Sequence, residues 1–281
     1  MTIIFGRYKI GEIIGSGSFG NVYIGTSIKS NTTVAIKEDN INQNIKDTTF
    51  THEAKLLNYL RGPLFIPVLR YYGTSTINNK SYLVMDMLGK SLEDLKCDIH
   101  IMNHINIMNI GSQCIKILKY IHDKKIIHRD IKPENFLFSV NFNDNQFTNN
   151  TVNIIDFGLA KKYVDSNGSH IRIKNNKPII GTMRYISINV HYGVEYSRRD
   201  DIISLAYMLI YLAKKKLPWQ GVIANDDIEL NTIISRIKMD TTTTQLCLGL
   251  PDCFFSILSY AKKLEFSERP DYEYMDNLFT S

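Results

Sequence analysis

The stretch HRDIKPENF, His128–Phe136, sets a carboxylate (Asp130) two residues before an ammonium (Lys132) and a carboxamide (Asn135) three further on. Burying such a set as structural filler would be costly, because an unpaired charge loses its hydration. A purely solvated loop would have no need of the interleaved Ile131, Pro133 and Phe136. Which reaction needs these three groups at this spacing is for the rest of the sequence to decide. Further along, IIDFGLAKKY delivers Asp156 at the end of an apolar run, an oxygen donor suited to Mg²⁺. Near the N-terminus, VAIK puts Lys37 after three apolar residues, and Glu53 on the following helix can pair with it. The run GSGSFGNV (Gly15, Ser16, Gly17, Ser18, Phe19, Gly20, Asn21, Val22) fits G-x-G-x-x-G-x-V. Glycines there let a backbone approach phosphates closely. Taken singly, each signal has a plainer reading: a β-turn, an amphipathic strand end, a solvated helix carboxylate or a turn residue.

The elements around these residues narrow the choice. YKIGEIIGSGSFGNVYIGT and TTVAIKED read as strands, FTHEAKLLNYLRG as a helix ended by Gly62 and Pro63, and SYLVMDML as a further strand. Because NVYIGT continues as strand after the glycines, a dinucleotide fold is excluded; that fold needs a helix there. A flap over a nucleotide fits instead. From about Gly89 the pattern turns helical, with Ile107, Ile110, Cys114, Ile117 and Ile121 on one face and the helix ending before Lys124. Short strands are expected at NFLFSV and TVNIIDF, either side of the Asn-rich NFNDNQFTNN. The remainder is helix and loop. The expectation is an α+β chain of one domain over 1–281: a small β-rich lobe (about 1–85), a hinge (86–89) and a larger, mainly helical lobe (90–281).

Order and spacing then speak together. A glycine loop, V-A-I-K, a helical Glu, H-R-D-x-K-x-x-N and D-F-G, in that sequence, resemble the protein-kinase signature set. The resemblance implies that Asp130 orients an acceptor hydroxyl and takes its proton, that Lys132 offsets charge on the transferring phosphoryl group, and that Asn135 and Asp156 hold magnesium. It implies that Lys37, held by Glu53, grips the α- and β-phosphates of ATP. His128 is expected to pack on Phe157 rather than to do acid–base work. A lysine at 132 resembles serine/threonine kinases more than tyrosine kinases.

The resemblance narrows further. LVMDMLGKSLEDL (83–95), DFGLAKKY (156–163), GTMRYISINVHYGVEYSRRDD (181–201) and LPWQG (217–221) resemble the casein kinase I family from about Tyr8 to Phe279. Ser187–Asn189, S-I-N, stands where most protein kinases carry A-P-E; vaccinia-related kinases are the neighbouring group. This resemblance implies a two-lobed kinase fold, ATP with Mg²⁺, protein substrates with Ser/Thr sites, and activity without activation-loop phosphorylation. It implies an adenine pocket of Ile14, Val22, Ala35, Met85, Leu88, Leu137 and Ile155. It also points to a substrate anion site drawn from Arg129, Lys161, Lys177 and Arg184. One departure bears on that site. The family's basic run after P-W-Q-G is replaced by VIANDDIEL, with Asp226, Asp227 and Glu229, so a weakened dependence on phosphate-primed substrates is expected. A pseudokinase would have lost one of Lys37, Glu53, Asp130, Asn135 or Asp156, and none is lost. A small-molecule kinase would leave the segment 181–201 unexplained.

Composition limits the rest. The 281 residues carry 33 Lys+Arg against 28 Asp+Glu, a net charge of +5, with no basic run that would mark a nucleic-acid tail. The four cysteines form no C-x-x-C pair, which argues against structural zinc and a disulfide framework and for a reducing compartment. MTIIFGRYK has too short an apolar run for a signal peptide, and IISLAYMLIYLA (202–213) is shorter than a membrane span and reads as a core helix. A monomer with no membrane or nucleic-acid partner, cytoplasmic or nuclear and lacking a regulatory tail, is the expectation.

Overall fold

The computed structural model describes residues 2–17, 20–39, 49–75 and 78–280. The first lobe is a six-stranded sheet in the order β1-β2-β3-β4-β6-β5, all of it antiparallel: β1 (Ile3–Ile4), β2 (Tyr8–Gly17), β3 (Gly20–Ser27), β4 (Thr33–Asp39), β5 (Leu69–Thr74) and β6 (Ser81–Asp86). Register pairs Val22 with Lys37 and Lys37 with Leu83, so the lysine sits in the middle of the sheet with its side chain on the cleft face. Helix α1 (Thr49–Leu60) packs its buried stripe, Phe50, Glu53, Ala54, Leu57 and Leu60, beneath that sheet. It stops before Gly62, whose φ of +141° a side chain would resist.

After β6 the chain passes through Met87–Lys90 into the second lobe, beginning with the short α2 (Leu92–Leu95), closed by a capping box between Ser91 and Asp94. Gly89 permits this crossing: an added Cβ would lie 2.9 Å from the Ser139 carbonyl oxygen. Helix α3 (His104–Asp123) follows as the apolar spacing predicts. The strand pairs β7 (Ile126–Ile127) with β10 (Lys161–Lys162), and β8 (Phe136–Phe138) with β9 (Val152–Ile154), bracket the catalytic stretch. Between β8 and β9 the Asn-rich segment is folded, not merely polar: Phe142 and Phe147 pack on Phe138 at 4.6 and 5.5 Å. Asn150 closes it through bonds to the Asn143 backbone.

The helices α4 (Ile188–His191), α5 (Arg198–Lys214), α6 (Asp227–Asp240), α7 (Thr243–Cys247), α8 (Asp252–Lys263) and α9 (Tyr272–Thr280) complete the lobe. Helix α5 runs through the core, buried from Asp200 to Leu212, and its apolar run is the expected core helix. Among the described residues no helix is long and apolar enough to cross a membrane. The result is a two-lobed α+β fold, β-rich at the N-terminal side and helical at the C-terminal side, with one apolar core running from Leu83 and Met85 into α3, α5 and α8.

Candidate active site

A cleft of about 470 Å³ lies between the lobes. Ile14, Gly15, Ser16, Gly20 and Val22 roof it, Ala35, Met85 and Leu88 form its back, and Leu137 and Ile155 its floor. The seven apolar residues singled out in the sequence therefore share one space. Of the glycine run, Ser18 and Phe19 lie outside the described residues. Gly17 ends β2, and Asn21 turns its side chain to Ser16 and Tyr23, along the strand.

At the inner end, Lys37 Nζ lies 2.8 Å from Glu53 Oε2 and 3.1 Å from Asp156 Oδ1. Burial pushes the Lys37 amine down, but the two carboxylates outweigh it and hold its pKa above the ordinary lysine value. Asp156 is pushed up by burial, yet Lys37 holds its carboxyl below the usual range, so it stays ionised. Glu53, only 1% exposed, is raised by burial against the pull of Lys37. Asp156 adopts the left-handed region (φ 64°), which aims it into the cleft at the end of β9. Asn135 donates from Nδ2 to the Asp130 carbonyl (2.9 Å) and carboxylate (3.3 Å). That leaves its Oδ1 as the oxygen it can offer a cation. One carboxylate and one amide oxygen suit Mg²⁺, which completes its octahedron from phosphates and water.

Asp130 is held from three sides. Lys132 Nζ is 2.7 Å from Oδ2, and Thr182 donates to Oδ1 from both its hydroxyl (2.8 Å) and its backbone N–H (3.1 Å). The loop carrying Asp130 is fixed from below. Asp201 on α5, fully buried, accepts from the backbone N–H groups of His128 (2.8 Å) and Arg129 (2.9 Å) and from His122 Nε2 (2.9 Å). This accommodates the left-handed backbone at Arg129 (φ 69°). His128 packs edge-on against Phe157 at 5.1 Å, as expected. Thr182 and Asp201 were not singled out from the sequence. S-R-R-D is a capping box, but it accounts for Asp200 and leaves nothing that marks Asp201. Thr182 had no signal beyond its place after Gly181.

The four cations proposed for anion binding fall in two places. Arg129, Lys161 and Lys177 line a small cleft of about 140 Å³ with Glu195 at its centre, 3.0 Å from Lys161 and 3.7 Å from Lys177. Backbone bonds between Lys174 and Glu195 and between Lys177 and Gly193 build this arrangement. Arg184 stands apart. Its guanidinium lies over the rings of Tyr185 and Tyr211 (5.7 and 5.4 Å) and faces a second cleft, of about 440 Å³. Asp227 and Glu134 share that cleft, and burial raises the Glu134 carboxyl. Asp226 and Glu229, predicted beside this region, cap the start of α6: Asp226 accepts from the Glu229 N–H, and Glu229 from the Asn225 N–H.

A nucleotide-sized cleft with a buried Lys–Glu–Asp cluster at one end and a triply held carboxylate at its mouth suits phosphoryl transfer from a nucleotide to a hydroxyl. Comparison with protein families agrees. Residues 8–264, most of the chain, match the family model described as protein kinase domain, a family that uses ATP, typically with Mg²⁺, to phosphorylate proteins, and the chain belongs to it.

Proposed function

We propose that this protein kinase is a serine/threonine kinase of the casein kinase I type, formed by a single domain over 1–281, with residues 1–85 and 90–281 as lobes and 86–89 as hinge. The observation that carries the acceptor assignment is the contact of Lys132 with Asp130. Lys132, the residue held against Asp130, stands at the position where the signature of serine/threonine kinases carries a lysine. The subfamily assignment rests on the S-I-N, L-P-W-Q-G and 181–201 segments.

In this reading Asp130 accepts a hydrogen bond from the serine or threonine hydroxyl and receives its proton. The hydroxyl oxygen bonds the γ-phosphorus as the bond to the β–γ bridging oxygen breaks, and ADP leaves with that electron pair. Lys132 offsets the negative charge of the transferring group. Lys37, oriented by Glu53, holds the α- and β-phosphates. Asn135 and Asp156 would hold Mg²⁺, which supplies charge neutralisation when bound. Acidic or phosphate-primed substrates are favoured weakly. Glu195 pairs with Lys161 and Lys177 and offsets part of their charge, while Asp227 and Glu134 share the cleft of Arg184.

The test is Ser/Thr phosphorylation of casein with Mg²⁺ and ATP by wild type and Asp130→Asn. Turnover should fall by on the order of 10²- to 10⁴-fold, with nucleotide affinity kept. Wild-type turnover in the variant, or transfer to tyrosine alone, would overturn the reading.

A further inference from the structure

Lys238 on α6 is 1% exposed, yet no carboxylate among the described residues pairs with it. Its Nζ donates to the carbonyl oxygens of Met183 (2.8 Å) and Ile186 (2.6 Å). The rings of Tyr207 and Trp219 flank it at 5.2 and 5.1 Å, and Trp219 Nε1 donates to the Arg184 carbonyl at 2.8 Å. Its neighbour His191, pushed down to about 4 by burial and by Lys238 itself, stays neutral and adds no second positive charge beside it. Burial likewise drives the Lys238 amine well below its ordinary value.

A lysine here is an expensive way to fill a core, since apolar side chains of like volume often replace buried ions without loss of stability. What methionine could not do is donate to two carbonyls. Those carbonyls belong to the loop 182–187, and this loop is anchored at every other point. Thr182 bonds Asp130, Gly181 crosses against the Arg129 carbonyl, and Ser187 Oγ donates to Asp200 at 2.5 Å. We infer that Lys238, assisted by Trp219, is a positioning residue for the acceptor side of the reaction, holding the 183–186 backbone from behind so that Thr182 meets Asp130. The inference rests on Asp130 being the group that receives the acceptor hydroxyl.

The experiment compares wild type, Lys238→Met, Thr182→Ala and the double variant on one serine peptide, with ATP-analogue affinity and Tm measured alongside and Asp130→Asn as control. Lys238→Met should lower peptide kcat/KM by on the order of 10- to 100-fold, the cost of misplacing a catalytic contact, while nucleotide affinity stays within about twofold of wild type. The double variant should lose little more than the worse single one, because both act through the same contact. Wild-type kcat/KM in Lys238→Met overturns the inference, as do equal losses in peptide turnover and nucleotide affinity, or fully multiplicative losses in the double variant. Should Lys238→Met fail to fold, Trp219→Phe, which removes the bond to Arg184 together with part of the ring face over Lys238, carries the test: a several-fold loss in peptide kcat/KM at unchanged nucleotide affinity supports the inference, and no loss overturns it. If Asp130→Asn keeps turnover, the reading of the site falls, whatever Lys238 does.

Discussion

The two sides of the cleft handle charge in opposite ways. On the nucleotide side Lys37 is matched at contact distance by Glu53 and Asp156, a cluster closed on itself. On the acceptor side Lys238 rests on carbonyl oxygens and ring faces, Arg184 on two tyrosines, and Lys161 and Lys177 share one glutamate. A closed ion cluster fixes geometry for a ligand that is always the same, because each charge orients its neighbour. Arg184, held by ring faces beside an open cleft, keeps more of its field for whatever approaches, which suits a surface that meets varied polypeptides. Opening the nucleotide cluster should therefore lower turnover, whereas the cations around Arg184 and around Lys161 and Lys177, as distinct from Asp130 and the loop that holds it, should change preference before turnover is lost.

The sharpest way to break that contrast is to open the cluster. Lys37→Ala and Asp156→Ala should each lower kcat/KM by on the order of 100-fold or more, since each removes a charge aimed at the phosphates or the metal. Glu53→Ala should cost about 10-fold, because it only orients Lys37, which keeps its contact with Asp156. Steady-state kinetics on one peptide suffice. Equal losses for Glu53→Ala and Lys37→Ala would mean that Glu53 does more than orient.

Gly181 tests whether backbone approach matters on the acceptor side as charge does on the other. Its φ is +95°, and a Cβ would press into the Arg129 carbonyl oxygen. Gly181→Ala should cost about 1–3 kcal/mol in strain, read as a lowered Tm. It should also reduce peptide kcat more than nucleotide affinity, because the next residue is Thr182. An alanine variant with unchanged Tm and kcat would show that the loop has room to move.

What the sequence made legible follows the same division. The nucleotide side is built from short motifs on consecutive elements, so Lys37, Glu53 and Asp156 could be placed by their order and the seven apolar cleft residues through the family resemblance, and the structure brings them to one cleft. Long helices such as α3 and α5 were readable from apolar spacing. The acceptor side is assembled from distant approaches that leave no local pattern: Thr182 on Asp130, Asp201 under His128 and Arg129, Lys238 behind Met183 and Ile186, Glu195 between two lysines. Short strands were over-read for a related reason. NFLFSV pairs with its partner only over Phe136–Phe138, because beyond Phe138 the chain turns into the folded segment held by Phe142 and Phe147.

The smallest expected effect concerns substrate choice. Wild type should prefer a phosphoserine-primed peptide over its unprimed twin only a few-fold, and Arg184→Ala should remove most of that preference, since Glu195 engages Lys161 and Lys177 and offsets part of their charge. Glu195→Gln should do the reverse, freeing both lysines and raising primed over unprimed kcat/KM by about 3- to 10-fold, the range of a modest charge-assisted contact. The pH dependence has a definite sign. Burial raises the Glu195 carboxyl, but Lys161 and Lys177 outweigh it and hold its pKa below the ordinary value. Its ion pairs are thus fully formed above the unfolded-state pKa of about 4.3 and are lost only as pH falls through the lower folded value. Between pH 5.5 and 7.5 Glu195 therefore stays charged, and the titrating group is the phosphoserine, whose second proton leaves near pH 6. In Glu195→Gln the primed preference should rise with pH across that window, and in wild type it should rise less. A wild type with strong priming that survives Arg184→Ala, or a Glu195→Gln variant with unchanged preference, would place anion recognition elsewhere on the acceptor side.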